Sequence, residues 1–304
     1  MDSIIYEKIC EKALKESKKK IVDNLANEYD IIEITIINNI ANLTKETNQT
    51  IFKYRQNTVL QFINDSCKLL DKSINIVINI GLHDSYSSNL GILIFSSKGN
   101  TNNICIPDLY AMCEYSGKLN IEDNVEFENK KNKAIFIGAE NGNDIYVKYN
   151  KRINLCNNYI NNNNIKCYIN KIYSTNDIKL EYPNYESFMH NGMTIQEQLK
   201  YKYIINVDGN TCAWDRLPWI LNSKSLCLKK KSHDTSWYYD FMVKDEHYVE
   251  FDDDSEVETI INTISTNECK RIIKNANKFC DDYLKKKSQM TYMAKLLYYL
   301  SIKE

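Results

Sequence analysis

One stretch in the second half of the chain, residues 200–229, constrains the fold more than any other. Residues 204–207 form a short apolar run, which is typical of a buried strand in a parallel sheet. The residues that follow favour a tight turn, since glycine tolerates positive φ and short polar side chains bond their own backbone. These turn residues are Asp208, Gly209 and Asn210. The pattern predicts a strand that ends abruptly in a polar loop.

A helix and a second strand are predicted directly after this turn. Asp215 is placed to cap a helix, and Pro218 falls in its first turn, where a missing N–H costs nothing. Residues 225–228 are apolar again and predict the next strand. In open α/β sheets, ligands bind at the carboxyl ends of strands, beside helix N-termini. The sequence therefore predicts a site for a phosphate-bearing ligand at residues 208–216.

Length and charge narrow the class of protein. The 304 residues suffice for two domains or one large one, and only 3 prolines and 8 glycines favour long regular elements. The formal net charge of −1 gives no support for nucleic-acid binding through overall charge. The composition is typical of AT-rich genomes, such as those of giant viruses or AT-rich microbes.

The sequence shows no targeting or metal-binding pattern. The N-terminus is charged at once, without the apolar segment of a secretory signal. No apolar run approaches the roughly 20 residues of a transmembrane helix. The 10 cysteines are scattered without a Cys-x-x-Cys pair, which predicts reduced thiols and no structural metal site. We expect a cytoplasmic protein.

Periodicity outlines the elements. Helical spacing predicts helices at residues 4–29, 48–70, 147–160, 256–264, 268–285 and 290–302. Apolar runs predict strands at residues 31–37, 74–80, 91–95, 134–137, 166–169, 204–207, 225–228 and 247–251. Thr194 and Glu197 form a capping box at the start of a short helix. The first part is interpreted as a βαβ unit, residues 120–133 as an interdomain link, and the second part as a doubly wound parallel sheet.

The stretch at residues 200–229 also carries a family resemblance. Residues 201–211 with Arg216, the aromatic segment 237–240 and the strand at 247–249 match a known pattern in order and spacing. The chain thereby resembles glycosyltransferase family 90, which includes Rumi-type protein O-glucosyltransferases, fungal capsule xylosyltransferases and bacterial lipopolysaccharide-modifying enzymes.

A weaker resemblance lies in residues 131–138, which look like the family's Lys-x-Lys-Ala-aromatic-x-Arg-Gly strand and loop. Ile137 stands where the family usually has arginine, and Ala139 where it usually has serine. These departures motivate a rival hypothesis, a non-catalytic nucleotide- or sugar-binding protein of the same fold.

Two further segments resemble the acceptor side of the family. Residues 76–80 followed by Asp84 resemble the strand that leads to the family's catalytic aspartate. Residues 104–109 are similar to its proline-containing acceptor segment. The acceptor-side residues that this similarity implies are Asp108, Leu109 and Tyr110.

The resemblance implies a fold and a reaction. The fold is an α/β, GT-B-like one, with two Rossmann-like domains whose parallel sheets face each other across a cleft. Residues 1–125 are the acceptor-side domain and residues 126–304 the donor-binding domain, with the last helix (290–302) packing back on the first domain. The reaction is inverting transfer of a sugar, glucose or xylose, from a UDP-sugar to a hydroxyl of a glycan or protein. No cofactor or metal is obligatory.

Such a transfer needs a base for the acceptor hydroxyl and positive charge for the departing diphosphate. Asp84 is the candidate base, with His83 as the runner-up; the alternative is that Asp84 caps local backbone. Arg216 is the candidate for the diphosphate, since a guanidinium binds phosphate oxygens in a fork, unless it merely pairs with an aspartate. The donor-side candidates are Gly138, Ala139, Arg152, Asp208, Gly209, Asn210, Thr211, Trp214 and Arg216.

A third reading concerns the acidic run Asp252, Asp253 and Asp254. It contains an Asp-x-Asp pattern of the type that holds divalent cations in metal-dependent glycosyltransferases. The same residues precede an amphipathic helix, where acidic groups favour the helix dipole, and this capping role is the preferred interpretation.

Overall fold

A computed structural model of the chain describes residues 30–302, except residues 87, 89, 100, 142–148 and 174. The predicted helix at residues 4–29 lies outside the described residues. The chain divides into two compact units. Unit 1 contains the described residues of Met1–Gly117, His233–Asp240 and Asp281–Glu304, and unit 2 contains those of Lys118–Ser232 and Phe241–Cys280.

The strands are numbered in chain order. They are β1 (Ile31–Ile37), β2 (Ile40–Lys45), β3 (Asn75–Gly81), β4 (Leu93–Ile94), β5 (Ser96–Lys98), β6 (Ile104–Cys105), β7 (Lys131–Ala139), β8 (Ile165–Lys171), β9 (Tyr201–Asn206), β10 (Leu226–Lys230), β11 (Asp234–Ser236) and β12 (Val249–Phe251). The predicted strands are thus present, with ends shifted by a few residues.

The helices are numbered likewise. They are α1 (Lys53–Cys67), α2 (Leu109–Met112), α3 (Lys151–Asn158), α4 (Thr175–Glu181), α5 (Ile195–Gln198), α6 (Arg216–Leu221), α7 (Glu256–Thr263), α8 (Thr266–Phe279) and α9 (Lys286–Ser301). The helix predicted at residues 268–285 ends earlier, and a π-helical turn follows at Cys280–Leu284. Helix α4 was not predicted. The interdomain link predicted at residues 120–133 already contains the start of β7.

The sheet of unit 1 is mixed, which corrects the predicted parallel sheet. Its order is β2-β1-β3-β4-β6, and β1 runs antiparallel to both of its neighbours. The cause is a two-residue turn at Asn38 and Asn39, whose φ angles are 50° and 65°. Positive φ at both central residues is the geometry that closes β-hairpins. Because the hairpin reverses the chain before α1 begins, the crossover brings β3 parallel to β2 and not to β1.

This reversal has a consequence at the edge of the sheet. Antiparallel pairing sets Ile31, at the start of β1, opposite Gly81, at the end of β3. The N–H of Leu82 donates to the carbonyl of Asp30 at 3.2 Å. Asp30 therefore lies beside the loop that carries Asp84, whereas a parallel βαβ unit would place it at the opposite edge.

The sheet of unit 2 is parallel throughout, as predicted. Its order is β12-β10-β9-β7-β8. Read in chain order this is 2-1-3-4-5, the flavodoxin-like arrangement. The strand order reverses between β7 and β9, so that the carboxyl ends of these two strands form the switch point at which such sheets bind ligands.

Two predicted caps are confirmed. The Asp108 carboxylate accepts from the N–H of Ala111 at the start of α2. Thr194 and Glu197 form the reciprocal capping box of α5. Within unit 1 the last helix, α9, packs against α1 and α2; the domain limits at residues 125 and 126 stay a prediction.

The hairpin turn provides a stability test. Asn39→Ala should lower the free energy of unfolding by about 2 kcal/mol, because alanine is strained at positive φ and two side-chain hydrogen bonds are lost. These join Asn39 to the N–H of Ile74 at 2.8 Å and to the carbonyl of Lys72 at 3.2 Å. Asn42→Ala, an exposed position of β2, is the matched control. Equal urea midpoints for both variants would contradict this account of the turn.

Candidate functional site

The carboxyl ends of β7 and β9 separate at the switch point. Their register continues to the pair Ile135 and Ile204 and records no further pair among the described residues. Beyond this point the backbone carbonyls of both strands accept hydrogen bonds from two guanidinium groups.

Arg216 makes the first of these bridges. Its Nη1 donates to the carbonyl of Ile137 on β7 at 2.8 Å, and its Nη2 to the carbonyl of Ile205 on β9 at 3.2 Å. The guanidinium carbon also lies 5.3 Å from the ring centre of Phe136 and 5.6 Å from that of Trp219. Arg216 is the first residue of α6, as predicted, and its side chain is anchored to the sheet.

Arg152 makes the second bridge, two residues further along both strands. Its Nη1 donates to the carbonyl of Ala139 at 3.1 Å. Its Nε and Nη2 donate to the carbonyl of Val207 at 3.2 and 2.9 Å. Arg152 can reach this position because Asn150 caps α3, accepting from the N–H groups of Arg152 and Ile153. Two cations are thus held at adjacent positions of the switch point.

The charges around the arginines are unevenly balanced. Asp215 pairs with Lys118, and Asp208 lies 3.7 Å from the Nζ of Lys229. Neither Arg152 nor Arg216 has a carboxylate within ion-pair distance among the residues that the structure describes. Burial, reinforced by the charge of Arg152, lowers the pKa of Arg216 to about 10, so the group stays protonated at neutral pH. The arrangement favours the binding of an anion.

The predicted cap at Asp215 is corrected. Asp215 stands at the N-cap of α6, but its side chain makes no capping hydrogen bond. Its φ and ψ are helical, unlike the extended geometry of a typical N-cap, and its carboxylate is used by Lys118.

Glycine is required at the switch point for steric reasons. A Cβ on Gly209 would lie 2.9 Å from Nη2 and 3.0 Å from Cζ of Arg152. A Cβ on Gly138 would be less crowded, at 3.2 Å from the Phe136 ring and 3.7 Å from Arg152. Gly209 therefore gives the second guanidinium its space.

Several buried polar atoms near the end of β9 have no hydrogen-bond partner among the residues that the structure describes. They are both side-chain atoms of Asn206, Oδ2 of Asp208 and Nε of Arg216. A buried polar group without a partner costs roughly 1–3 kcal/mol, so native proteins keep few of them. Their concentration within a few residues indicates that this region is not optimised for folding stability alone.

The remaining donor-side candidates lie in the same loop. Asn210 is exposed, whereas Thr211 and Trp214 are buried. The carbonyl of Thr211 accepts from the N–H of Gly209 at 3.0 Å and closes the turn. Part of the loop after Ala139, residues 142–148, lies outside the described residues.

The candidate base lies in unit 1. Asp84 is about half exposed, and its Oδ1 is 2.7 Å from Nη1 of Arg55, a residue of α1. The same Nη1 donates to the carbonyl of Leu82 at 2.8 Å. Arg55 was missed by the sequence analysis because nothing in the helical pattern of α1 distinguishes it from other polar positions.

The acceptor-side candidates and the acidic run have local structural roles. Asp108 caps α2, Leu109 is partly buried and Tyr110 is 40% exposed. Asp254 is buried and pairs with Lys230 at 2.5 Å, and Asp252 pairs with Lys231 at 3.1 Å.

The acidic run contributes to capping the start of α7. Asp253 accepts from the Ser255 N–H at 2.8 Å, and its own N–H donates to Glu256 Oε1 at 2.9 Å, whereas Ser255, the residue before the helix, makes no side-chain cap. Over the described ranges, no group of three or more His, Cys, Asp or Glu side chains is arranged to hold a metal ion. None of the helices in that part of the chain is long and apolar enough to cross a membrane.

The contact between Gly209 and Arg152 can be tested by a double-mutant cycle. Gly209→Ala should destabilise the protein by about 1–3 kcal/mol through overpacking. Gly138→Ala, the control, should cost less. In an Arg152→Ala background the Gly209→Ala penalty should shrink, because the clashing guanidinium is gone. Urea unfolding measures each step; an unchanged penalty would contradict the assigned contact.

Comparison with known proteins identifies the family. The model of glycosyl transferase family 90 matches residues 112–301, more than half of the chain. A segment of 102 residues is 28% identical to the O-glucosyltransferase LpsA of Dichelobacter nodosus and covers 32% of each protein. The match thus spans about a third of that relative. The family match includes both bridging arginines, and the chain belongs to glycosyl transferase family 90.

Proposed function

We propose that the protein catalyses inverting transfer of a sugar from a UDP-sugar to a hydroxyl of a glycan or protein. The observation that carries this proposal is the pair of guanidinium groups, Arg152 and Arg216, at the switch point of the parallel sheet. Family membership supports glycosyl transfer, and two adjacent cations at the ligand-binding edge suit the diphosphate of a nucleotide sugar.

The proposed chemistry is a single displacement at the anomeric carbon. The acceptor oxygen forms a bond to that carbon as the bond to the diphosphate oxygen breaks, and the electron pair leaves with UDP. The acceptor proton passes to a base, for which we propose Asp84. Arg216 and Arg152 stabilise the negative charge that develops on the diphosphate. No metal is needed for this step, because the arginines supply the charge.

Unit 2 is the proposed donor side and unit 1 the proposed acceptor side, in a GT-B-like arrangement. For the donor, we propose that the nucleotide lies against the loop residues Gly138, Ala139, Asp208 and Gly209, with Asn210, Thr211 and Trp214 as further contacts. Glucose is the first sugar to test, since the matched relative is described as an O-glucosyltransferase, and xylose is the second.

Donor binding is tested at Arg216. Arg216→Ala should weaken UDP affinity at least about a hundredfold, since roughly 3 kcal/mol is expected from a lost charged contact. Arg216→Lys, which keeps the charge but not the fork, should lose less. Arg271→Ala removes an exposed arginine paired with Glu268 and serves as the control. Calorimetry on proteins shown to be folded measures the affinity, and wild-type affinity in Arg216→Ala would exclude the assigned role.

The base is tested separately. Asp84→Asn should leave UDP affinity unchanged and lower the transfer rate by about 10²–10⁴-fold, the usual contribution of a general base. Asp65→Asn alters a carboxylate of α1 paired with Lys68 and is the matched control. Turnover at the wild-type rate in Asp84→Asn would remove Asp84 as the base.

The rival, a binding protein without activity, predicts different results. A UDP-sugar would raise the melting temperature without being hydrolysed or transferred. Slow release of UDP from UDP-glucose by the wild-type protein would exclude it. The same assay with EDTA distinguishes a metal-dependent reaction, which would lose its activity.

A further inference from the structure

A second acid–base group lies beside Asp84. The Nε2 of His83 is 3.3 Å from Oδ2 of Asp30. The imidazole lies between two aromatic rings, with centroid distances of 4.9 Å to Phe52 and 5.8 Å to Tyr86, both in edge contact. The His83 side chain is nevertheless 42% exposed, whereas that of Asp30 is 5% exposed. The imidazole is therefore fixed on one side and open on the other.

Asp30 is itself held firmly. Its Oδ1 accepts from Thr47 Oγ1 at 3.2 Å, and its Oδ2 accepts from Gln49 Nε2 at 2.6 Å. Its backbone is left-handed, with φ 48°, a conformation that aspartate and asparagine tolerate better than most residues. This hydrogen-bond network holds the buried carboxylate of Asp30 in place beside the imidazole.

The backbone around His83 also contributes to the position of the imidazole. Its N–H donates to the hydroxyl of Tyr86 at 3.1 Å. The Tyr86 ring lies so close to Gly81 that a Cβ there would meet it at 2.5 Å. Glycine at the end of β3 thus admits the ring that flanks the imidazole.

The contact with Asp30 decides which ring nitrogen carries the proton. A carboxylate only accepts hydrogen bonds, so it favours the tautomer with the proton on Nε2. Nδ1 then keeps a lone pair. In the described part of the chain, Nδ1 of His83 has no hydrogen-bond partner.

His83 and Asp84 belong to one cluster. The Phe52 ring that contacts His83 also lies 5.3 Å from the guanidinium carbon of Arg55, the partner of Asp84. The loop after β3 thus carries a hydrogen-bond acceptor and a carboxylate on consecutive residues, both of them in contact with α1 or the residue before it. A sugar acceptor carries neighbouring hydroxyls, one to react and one to be bound, whereas a serine side chain carries one.

We propose that His83 Nδ1 accepts a hydrogen bond from the acceptor hydroxyl next to the one that reacts at Asp84, and that Asp30 is the positioning residue for this imidazole. The acceptor is accordingly a sugar with adjacent hydroxyls and not a protein side chain. This inference rests on the proposed transfer reaction and adds the class of acceptor to it.

Three variants test the role of His83, with UDP-glucose as donor and methyl hexosides as acceptor probes. His83→Phe keeps a ring between Phe52 and Tyr86 without an acceptor atom and should lower kcat/KM for the hexoside about 10–100-fold. His83→Gln can bond both Asp30 and a hydroxyl and should recover part of the loss. Asp30→Asn should lose as much as His83→Phe, because its amide would shift the proton to Nδ1. In all three variants, transfer to the hexoside should fall more than hydrolysis, in which water is the acceptor.

One readout separates this role from a merely structural one. Long-range ¹⁵N–¹H NMR should show His83 protonated at Nε2 in the wild type and the other tautomer in Asp30→Asn. The same tautomer in both proteins would contradict the positioning role of Asp30.

The outcomes distinguish the two proposals. If His83→Phe and Asp30→Asn both transfer sugar to hexosides at the wild-type rate, the proposed role of His83 is wrong. Transfer to a serine peptide but not to hexosides overturns the acceptor class and leaves the proposed function intact. Absence of transfer and of hydrolysis by the wild type overturns the proposed function itself.

Discussion

The switch point of the unit 2 sheet depends on two arginines that replace a β-ladder. At the switch point β7 and β9 separate, and the carbonyls exposed there need hydrogen-bond donors. Arg216 satisfies Ile137 and Ile205, and Arg152 satisfies Ala139 and Val207. The same contacts hold two cations in place before any ligand arrives, so little reorganisation is needed when an anion binds. One pair of side chains therefore stabilises the sheet edge and supplies the positive charge of the proposed diphosphate site.

The surroundings of the loop after β3 depend on the direction of a single strand. Because the turn at Asn38 and Asn39 reverses the chain, β1 runs antiparallel to β3 and begins where β3 ends. Asp30 is thereby brought to His83. The loop after β3 consequently carries two supported side chains, His83 on Asp30 and Asp84 on Arg55.

Much of the fold and part of the site follow from local pattern. The apolar runs of unit 2 predicted a parallel sheet, and the Asp208–Gly209 turn predicted a ligand site at its edge. The caps at Asp108 and Thr194 follow from residue type, since short polar side chains bond nearby N–H groups. The two asparagines between Ile37 and Ile40 also indicate a hairpin, but the sequence analysis did not predict it. The capping role predicted for Asp215 was wrong, because Lys118, which is distant in sequence, pairs with its carboxylate.

The sequence by itself determined the family, the parallel sheet of unit 2 and the position of Arg216 at the start of a helix, because spacing and residue type carry that information locally. Only the tertiary structure decided how Arg152 and Arg216 share the carbonyls of two strands, and that Asp30 and Arg55 support the loop after β3. These contacts join residues far apart in the chain. Their formation depends on strand order and direction, which no local periodicity encodes. The predicted and observed sheets of unit 1 differ for this reason, because β1 runs antiparallel to its neighbours.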